Sequence, residues 1–205
     1  MQENEGVKPM EAVPEPEAIP ARAPTKSLVR TALSWVRDLT FSVLIAVVLI
    51  VFIYQPVKVE GTSMEPGLTD QERIFINKFT YQFGLGQIER GDTVVFWYPA
   101  DTSKSYIKRV IGLPGDRIRI DAGQVYVNDH ALVEDYVPKD FRDALSWPPD
   151  ARGVDREVPS DSYFVLGDHR SQSSDSRAWG YVRRDLIYGK AVFVYWPLDK
   201  MGRLR

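Results

Sequence analysis

Residues 39–57 read LTFSVLIAVVLIVFIYQPV, nineteen positions without one charged side chain. At about 1.5 Å per residue such a helix is roughly 28 Å long, close to the hydrocarbon thickness of a bilayer. Asp38 bounds the run on one side and Lys58 on the other, and Pro56 cannot continue a helical hydrogen-bond ladder. Trp35 and Tyr54 stand where interfacial aromatics belong. A buried element of a soluble core is rarely this long and this uniformly apolar. A cleaved signal peptide has a shorter apolar run and a small-residue cleavage site after it, and no A-x-A pattern follows here. The stretch predicts one transmembrane helix over 36–56, with a different kind of chain on either side.

Before it, residues 1–35 hold Pro9, Pro14, Pro16, Pro20 and Pro24 among Glu3, Glu5, Glu11, Glu15 and Glu17. Prolines remove donors and restrict φ, and too little apolar surface is present to offset the entropy of ordering. This reads as a disordered tail and basic flank, too acidic for an organellar transit peptide. Arg22, Lys26, Arg30 and Arg37 precede the span, whereas Lys58 is the only base in the next fifteen residues. The positive-inside rule then puts the N-terminus in the cytoplasm and residues 57–205 outside.

After the span the chain is β-rich. Short alternating runs (RIFINKF, DTVVFWY, SYIKRVIG, DRIRID, GQVYVND, SYFVLGD, KAVFVYWPL) are punctuated by Gly, Pro, Asn and Asp. GDRIRIDAGQVYVNDHAL reads as a hairpin with Ile118, Ile120, Val125 and Val127 on one face. Residues 140–159, polar and Pro-rich, read as a surface excursion. The chain of 205 residues carries 26 basic and 28 acidic side chains, which argues against a nucleic-acid binder. It has no cysteine and only two histidines, His130 and His169. Disulfide scaffolds, thiolate zinc sites and a cysteine nucleophile are excluded, and a histidine-rich metal centre is disfavoured.

The chemistry-bearing residues begin just past the span. Ser63 lies in VEGTSMEPGL, among small and turn-forming neighbours that would expose its hydroxyl. A serine nucleophile needs a base. His169 follows Asp168, so a Ser63–His169–Asp triad can be drawn, but adjacent residues on extended backbone face opposite ways. Lys108, in SYIKRVIGLPGD, is the other candidate. On a strand it shares a face with Tyr106 and Val110, and a core-facing lysine is pushed toward its neutral, proton-accepting form. A lysine snorkelling from a strand edge fits the same local pattern. In LGDHRSQSSDSR, Asp168, Arg170, Asp175 and Arg177 alternate with serines. They read either as a solvated loop or as an ion-pair network beside a site.

Taken in order, these segments resemble the type I signal peptidases, membrane-anchored Ser–Lys proteases that remove signal peptides from exported proteins. GTSMEPGL is similar to the family's nucleophile motif, GDTVVFWYP to its GD-x-V-V-F strand, SYIKRVIGLPGD to its lysine motif, and LGDHRSQSSDSR to its G-D-N-R-x-x-S-x-D-S-R motif. The resemblance implies Ser63 as nucleophile, Lys108 as general base and Ser173 as the hydroxyl that bonds the lysine amine. It gives Asp168, Arg170, Asp175 and Arg177 a mainly structural role, and the Ser63 N–H a place in the oxyanion hole. It implies a mostly antiparallel β catalytic domain of the signal-peptidase and self-cleaving-repressor type, and no metal or cofactor. The substrate would be the signal peptide of a preprotein, bound extended among Val59, Met64, Tyr106 and Ile107 and cut after Ala-x-Ala-like residues. The implied setting is the bacterial cytoplasmic membrane, single-pass, with lipid bilayer and secretion translocon as neighbours and no nucleic acid.

Two departures stand out. Gly61 replaces a serine that supplies a side-chain oxyanion donor in some members, and His169 stands where Asn is common. About fifty residues separate GLPGD from LGDHR, so a large inserted second β domain is absent or minimal. A membrane-tethered β module without catalysis, or a processing peptidase dedicated to one client, would share most of these features.

Overall fold

The protein is described here from a computed structural model that covers residues 28–79, 86–149, 153 and 155–204. The expected disordered tail lies, as far as residue 27, outside the described residues. Helix α1 runs Leu28–Phe52, eight residues earlier at its start and four residues shorter at its end than the 36–56 expected. No Pro or Gly stands between Leu28 and Trp35 to prevent helix. Ser34, Thr40 and Ser42 turn their hydroxyls back onto the carbonyls of Thr31, Val36 and Asp38, which hides those polar groups on the helix itself. Leu39, Phe41, Leu44, Ile45 and Val48 are exposed. The span Leu28–Leu49 is long and apolar enough to cross a membrane, and beyond Asp38 it carries no charged side chain to form a face toward water.

The helix stops early because strand β1 (Tyr54–Lys58) takes over the backbone. It pairs antiparallel with β2 (Arg73–Asn77), from Tyr54 opposite Asn77 to Lys58 opposite Arg73. Pro56 sits on this edge strand, where its missing donor costs no ladder bond on the solvent side. Ile53 alone separates helix from strand.

Strands β3 (Thr93–Tyr98), β4 (Asp101–Gly112), β5 (Arg117–Asp121), β6 (Gln124–Val127), β7 (His130–Ala131), β8 (Arg156–Glu157) and β9 (Ser162–Leu166) follow. Helix α2 (Ser176–Trp179) and strands β10 (Val182–Arg183), β11 (Ile187–Trp196) and β12 (Gly202–Arg203) complete the chain. The larger sheet has the order β1-β2-β11-β3-β4-β9-β10, with β12 on β11, and the smaller is β7-β6-β5-β8. Every pairing is antiparallel, so the fold is mainly β behind one apolar helix. The small sheet occupies the interval between GLPGD and LGDHR, where little room remains for an insertion.

The anticipated hairpin is β5–β6, with Ile118 opposite Val127 and Ile120 opposite Val125. Its turn residues Ala122 and Gly123 both have positive φ, the conformation a two-residue hairpin turn demands. A Cβ on Gly123 would stand 1.9 Å from the Asp143 carbonyl oxygen, so only glycine fits. Ile118 and Val125 are fully buried, each contributing about 1.5–3 kcal/mol of transfer free energy. Residues 140–159 are not merely a surface excursion. Trp147 exchanges backbone hydrogen bonds with Ile120 at 2.8 and 2.9 Å and packs its ring 4.6 Å from Phe164. An indole gains more from that contact than the polar composition around it suggests.

Candidate active site

The segment after β1 continues the strand pairing briefly, with Val59 N–H donating to Glu72 C=O at 2.7 Å and Gln71 N–H to Val59 C=O at 2.9 Å. Gly61 then turns with φ +92°, a conformation side chains rarely adopt, and its N–H donates to Asp70 Oδ1 at 2.8 Å. The turn presents Ser63, and the next winding, closed by Leu68 N–H to Met64 C=O at 2.9 Å, drives Met64 and Leu68 into the core.

Lys108 is on β4, at the point where that strand passes from exposed to buried; only 4% of the residue is accessible. Its Nζ lies 2.7 Å from Ser63 Oγ and 3.0 Å from the Ile107 carbonyl oxygen, and 5.5 Å from the Tyr106 ring centroid. Burial lowers its pKa from 10.5 to about 8, against the opposing pull of Asp175 and Asp168. A substantial fraction of the amine is therefore neutral at mildly alkaline pH, where it can accept the Ser63 proton.

The expected bond between Ser173 and the lysine amine is not formed. Ser173 Oγ is buried without a hydrogen-bond partner, and the amine's contacts go to Ser63 and the Ile107 carbonyl. Ser173 packs instead on Gly167. A Cβ there would meet Ser173 Oγ at 2.2 Å and the Ser63 carbonyl oxygen at 2.5 Å. The Ser63 carbonyl also accepts from His169 N–H at 3.1 Å. The Ser63 turn is thus seated against the 167–173 backbone.

His169 joins the site only through that backbone bond. Its ring lies edge-on to Phe141 with centroids 4.2 Å apart, and its Nδ1 is 4.0 Å from Glu65 Oε2. Asp168 cannot orient it, since both carboxylate oxygens are taken by Arg109 at 2.8 and 2.6 Å. The Ser63–His169–Asp alternative has no geometry behind it.

Asp168, Arg170, Asp175 and Arg177 form a buried network. Asp175 accepts from Gly167 N–H at 3.1 Å and from Arg177 Nε and Nη2 at 2.8 Å each. Arg177 also donates to the Arg170 carbonyl at 2.7 Å and pairs with Asp143. Arg170 donates to the Gly167 carbonyl at 3.0 Å and grips Glu134 with both terminal nitrogens. Tyr136 donates to Glu134 at 2.9 Å, and its ring lies under the Arg109 guanidinium at 4.3 Å. Glu134, Tyr136 and Asp143 escape a reading of the sequence. Their one signal is arithmetic: Arg109, Arg170 and Arg177 are three cations, and Asp168 and Asp175 neutralise only two.

A cavity of about 580 Å³ opens beside Ser63 and Lys108. Val59, Tyr106 and Ile107 line it as expected, but Met64 does not; it is 1% exposed and packs with Leu68, Ile74 and Ile76. Residues 55–58 of β1, Glu60, Ser105, Ser174 and Tyr188 complete the walls together with Ile74 and Val95. Val57 shares a face with Val59 by strand alternation, and Ser105 with Ile107, so both could have been inferred. Tyr188 arrives from β11 and has no local signal.

The family model for signal peptidase, peptidase S26, matches residues 32–196. Signal peptidase I of Leptolyngbya laminosa is 35% identical over 177 residues, covering 82% of this chain and 82% of its own. Signal peptidase I T of Bacillus subtilis is 37% identical over 186 residues, covering 88% and 93% respectively. A crystal structure of a signal peptidase I from Enterococcus faecalis aligns with a TM-score of 0.43 at 29% identity, covering 51% of this chain and 97% of that one. The four ordered motifs, the family-model match along most of the chain and the two sequence relatives agree: the chain belongs to the signal peptidase family, peptidase S26.

Proposed function

We propose that this chain is a Ser–Lys endopeptidase that cuts signal peptides from preproteins, with Ser63 as nucleophile and Lys108 as general base. The observation that carries the reading is the 2.7 Å contact between Lys108 Nζ and Ser63 Oγ, made by a buried amine of depressed pKa. Neutral Lys108 takes the Ser63 proton as Oγ bonds to the scissile carbonyl carbon. The ammonium then protonates the leaving amine as the C–N bond breaks, leaving an ester on Ser63. Water, losing its proton to Lys108, attacks the ester and frees the serine.

The Ser63 N–H is the oxyanion donor in this scheme. Gly61 has no side chain to add a second donor, and its own N–H is engaged by Asp70. Substrate binding follows from the open edges. β4 pairs with β9 only from Arg109 onward, and β1 has β2 on one side alone. An extended peptide between them would gain main-chain hydrogen bonds, with alternate side chains entering the cavity. Val59, Tyr106 and Ile107 leave space for small residues next to the cleaved bond. Helix α1 anchors the enzyme in the cytoplasmic membrane, N-terminus inside and β domain outside, near the translocon where preproteins emerge.

The test is cleavage of a secretory preprotein by the detergent-solubilised protein beside Ser63→Ala. A cut after an Ala-x-Ala-like site by the wild type and none by the variant supports the scheme. Equal cutting by both removes Ser63 from it, and no cutting by either favours a non-catalytic or single-client role.

A further inference from the structure

His169 meets the Ser63 turn at two points, one closed by its backbone and one left open by its ring. Glu65 N–H donates to the Thr62 carbonyl at 3.0 Å, so residues 62–65 make one β-turn with Ser63 at its second position. The His169 N–H holds the Ser63 carbonyl of that turn at 3.1 Å. On the ring, Nδ1 is buried without a hydrogen-bond partner and lies 4.0 Å from Glu65 Oε2, at the end of the same turn. That distance is too long for a hydrogen bond and stands at the outer limit of an ion pair. We propose that His169 is a proton-dependent positioning residue: an imidazolium at 169 draws in the Glu65 carboxylate and locks the turn that carries Ser63. The inference rests on the peptidase reading of Ser63 and Lys108.

The surroundings leave Glu65 as the acceptor for that proton. Beside His169 in the chain, Asp168 gives both carboxylate oxygens to Arg109, and Arg170 is bound to Glu134. Phe141 backs the ring with centroids 4.2 Å apart, and its neighbours Lys139 and Asp140 are exposed to water. Asp143, two residues further on, is held by Arg177. The Glu65 side chain is 27% exposed and that of His169 only 11%, so the carboxylate has room to move and the imidazole does not. Imidazole is the side chain that gains a proton between about pH 8 and 5. A buried cationic N–H without an acceptor is more costly than a neutral nitrogen. A movement of Glu65 by about 1 Å turns the open contact into a charge-assisted hydrogen bond.

Acid protonates Lys108 and slows the proposed reaction. The same acid closes the His169–Glu65 pair and steadies Ser63, which offsets part of the loss. Removing the pair should therefore cost little at alkaline pH and more as pH falls. The charges that act on Lys108 are Asp175 and Asp168, so its own titration cancels between wild type and a Glu65 variant. Neither Glu65 nor His169 lines the cavity, which directs the effect to kcat and leaves KM unmoved.

The experiment measures kcat and KM from about pH 8 to about pH 6 on a preprotein peptide with an Ala-x-Ala-like site. The enzymes are the full-length wild type, Glu65→Gln, His169→Asn and the double variant. Gln removes the carboxylate charge and Asn the titrating ring, while both backbone bonds are kept. The ratio of kcat between wild type and Glu65→Gln should grow about fivefold toward the acid end. On the His169→Asn background the same substitution should give a ratio that is flat with pH. A flat ratio in the wild type, equal growth on the His169→Asn background, or an effect confined to KM overturns the inference. A second readout needs no turnover: proton NMR of the Ser63→Ala protein, in which His130 and His169 are the two histidines. At the acid end a slowly exchanging downfield imidazole N–H signal should survive His130→Gln and vanish with Glu65→Gln. Its absence, while wild type cuts the peptide and Ser63→Ala does not, overturns the inference and leaves the peptidase reading standing. If wild type fails to cut, or Ser63→Ala cuts equally, the peptidase reading falls, and this inference with it.

Discussion

On the proposed mechanism Lys108 serves as a base on a strand because it is buried with no carboxylate bonded to its amine. Its acids, Asp168 and Asp175, are saturated by arginines and guanidinium contacts, so they pull on the amine only at a distance. On that mechanism the neutral form is the working form. Activity should therefore rise with pH through a midpoint of about 8 and fall off as acid protonates the amine; a kcat/KM profile between mildly acid and alkaline buffers checks it. Lys108→Ala should lower kcat by about 10²–10⁴-fold while the melting temperature is held or raised, since a buried amine is removed. Ser63 and Lys108 could be singled out because each sits in a motif whose neighbours are all local, and their side chains lie 2.7 Å apart. Ser173 was legible as a position, but not as a contact: its hydroxyl direction depends on how closely Gly167 packs beneath it. Met64 was expected in the groove from the resemblance alone, and the turn closed by Leu68 N–H to Met64 C=O buries it in the core instead. Tyr188, Glu134 and Asp143 come from elements distant in sequence, and no local pattern announces a partner across a fold.

Among elements, the decisive contact is between the 61–70 turn and the 167–177 segment. Gly167 permits it. Gly167→Ala would thrust a methyl within 2.5 Å of the Ser63 carbonyl oxygen. It should cost about 1–3 kcal/mol in urea unfolding and at least tenfold in kcat/KM, since a displacement of about 1 Å at a nucleophile can cost a hundredfold. The arginine network stiffens the same segment from behind. Arg170 and Glu134 are each 4% exposed at the side chain. Glu134→Ala should destabilise by about 3–5 kcal/mol, because a buried guanidinium is left unpaired. Combining it with Arg170→Met should cost less than the sum of the single changes, as a double-mutant cycle by urea unfolding would measure. The β5–β6 hairpin and the long β4 were readable from alternation and turn residues. The sheet order was not, because β11 inserts between β2 and β3, and residues so far apart in sequence leave no periodic trace of their pairing.

For the whole molecule, the absence of native cysteine is an experimental convenience. A Cys placed at Glu157, an exposed position of the β domain, should react with a membrane-impermeant maleimide in intact cells. A Cys placed at Gln2 should react only after permeabilisation. The reverse pattern would invert the proposed topology. The apolar helix was the most legible part of the chain, though its ends were not: the sequence is uncharged through Val57, yet pairing with β2 claims Tyr54 onward for the sheet.

That handover has a consequence for reach. One residue, Ile53, lies between α1 and the strand that walls the groove, and Ser63 follows Phe52 by eleven positions. Even fully stretched, that chain spans no more than about 40 Å, and most of it is already committed to β1 and the turn. On the proposed topology the anchor leaves the nucleophile no slack. On that topology the short connection would act as a ruler, so that a bond is cut or spared by its height above the bilayer as well as by its side chains.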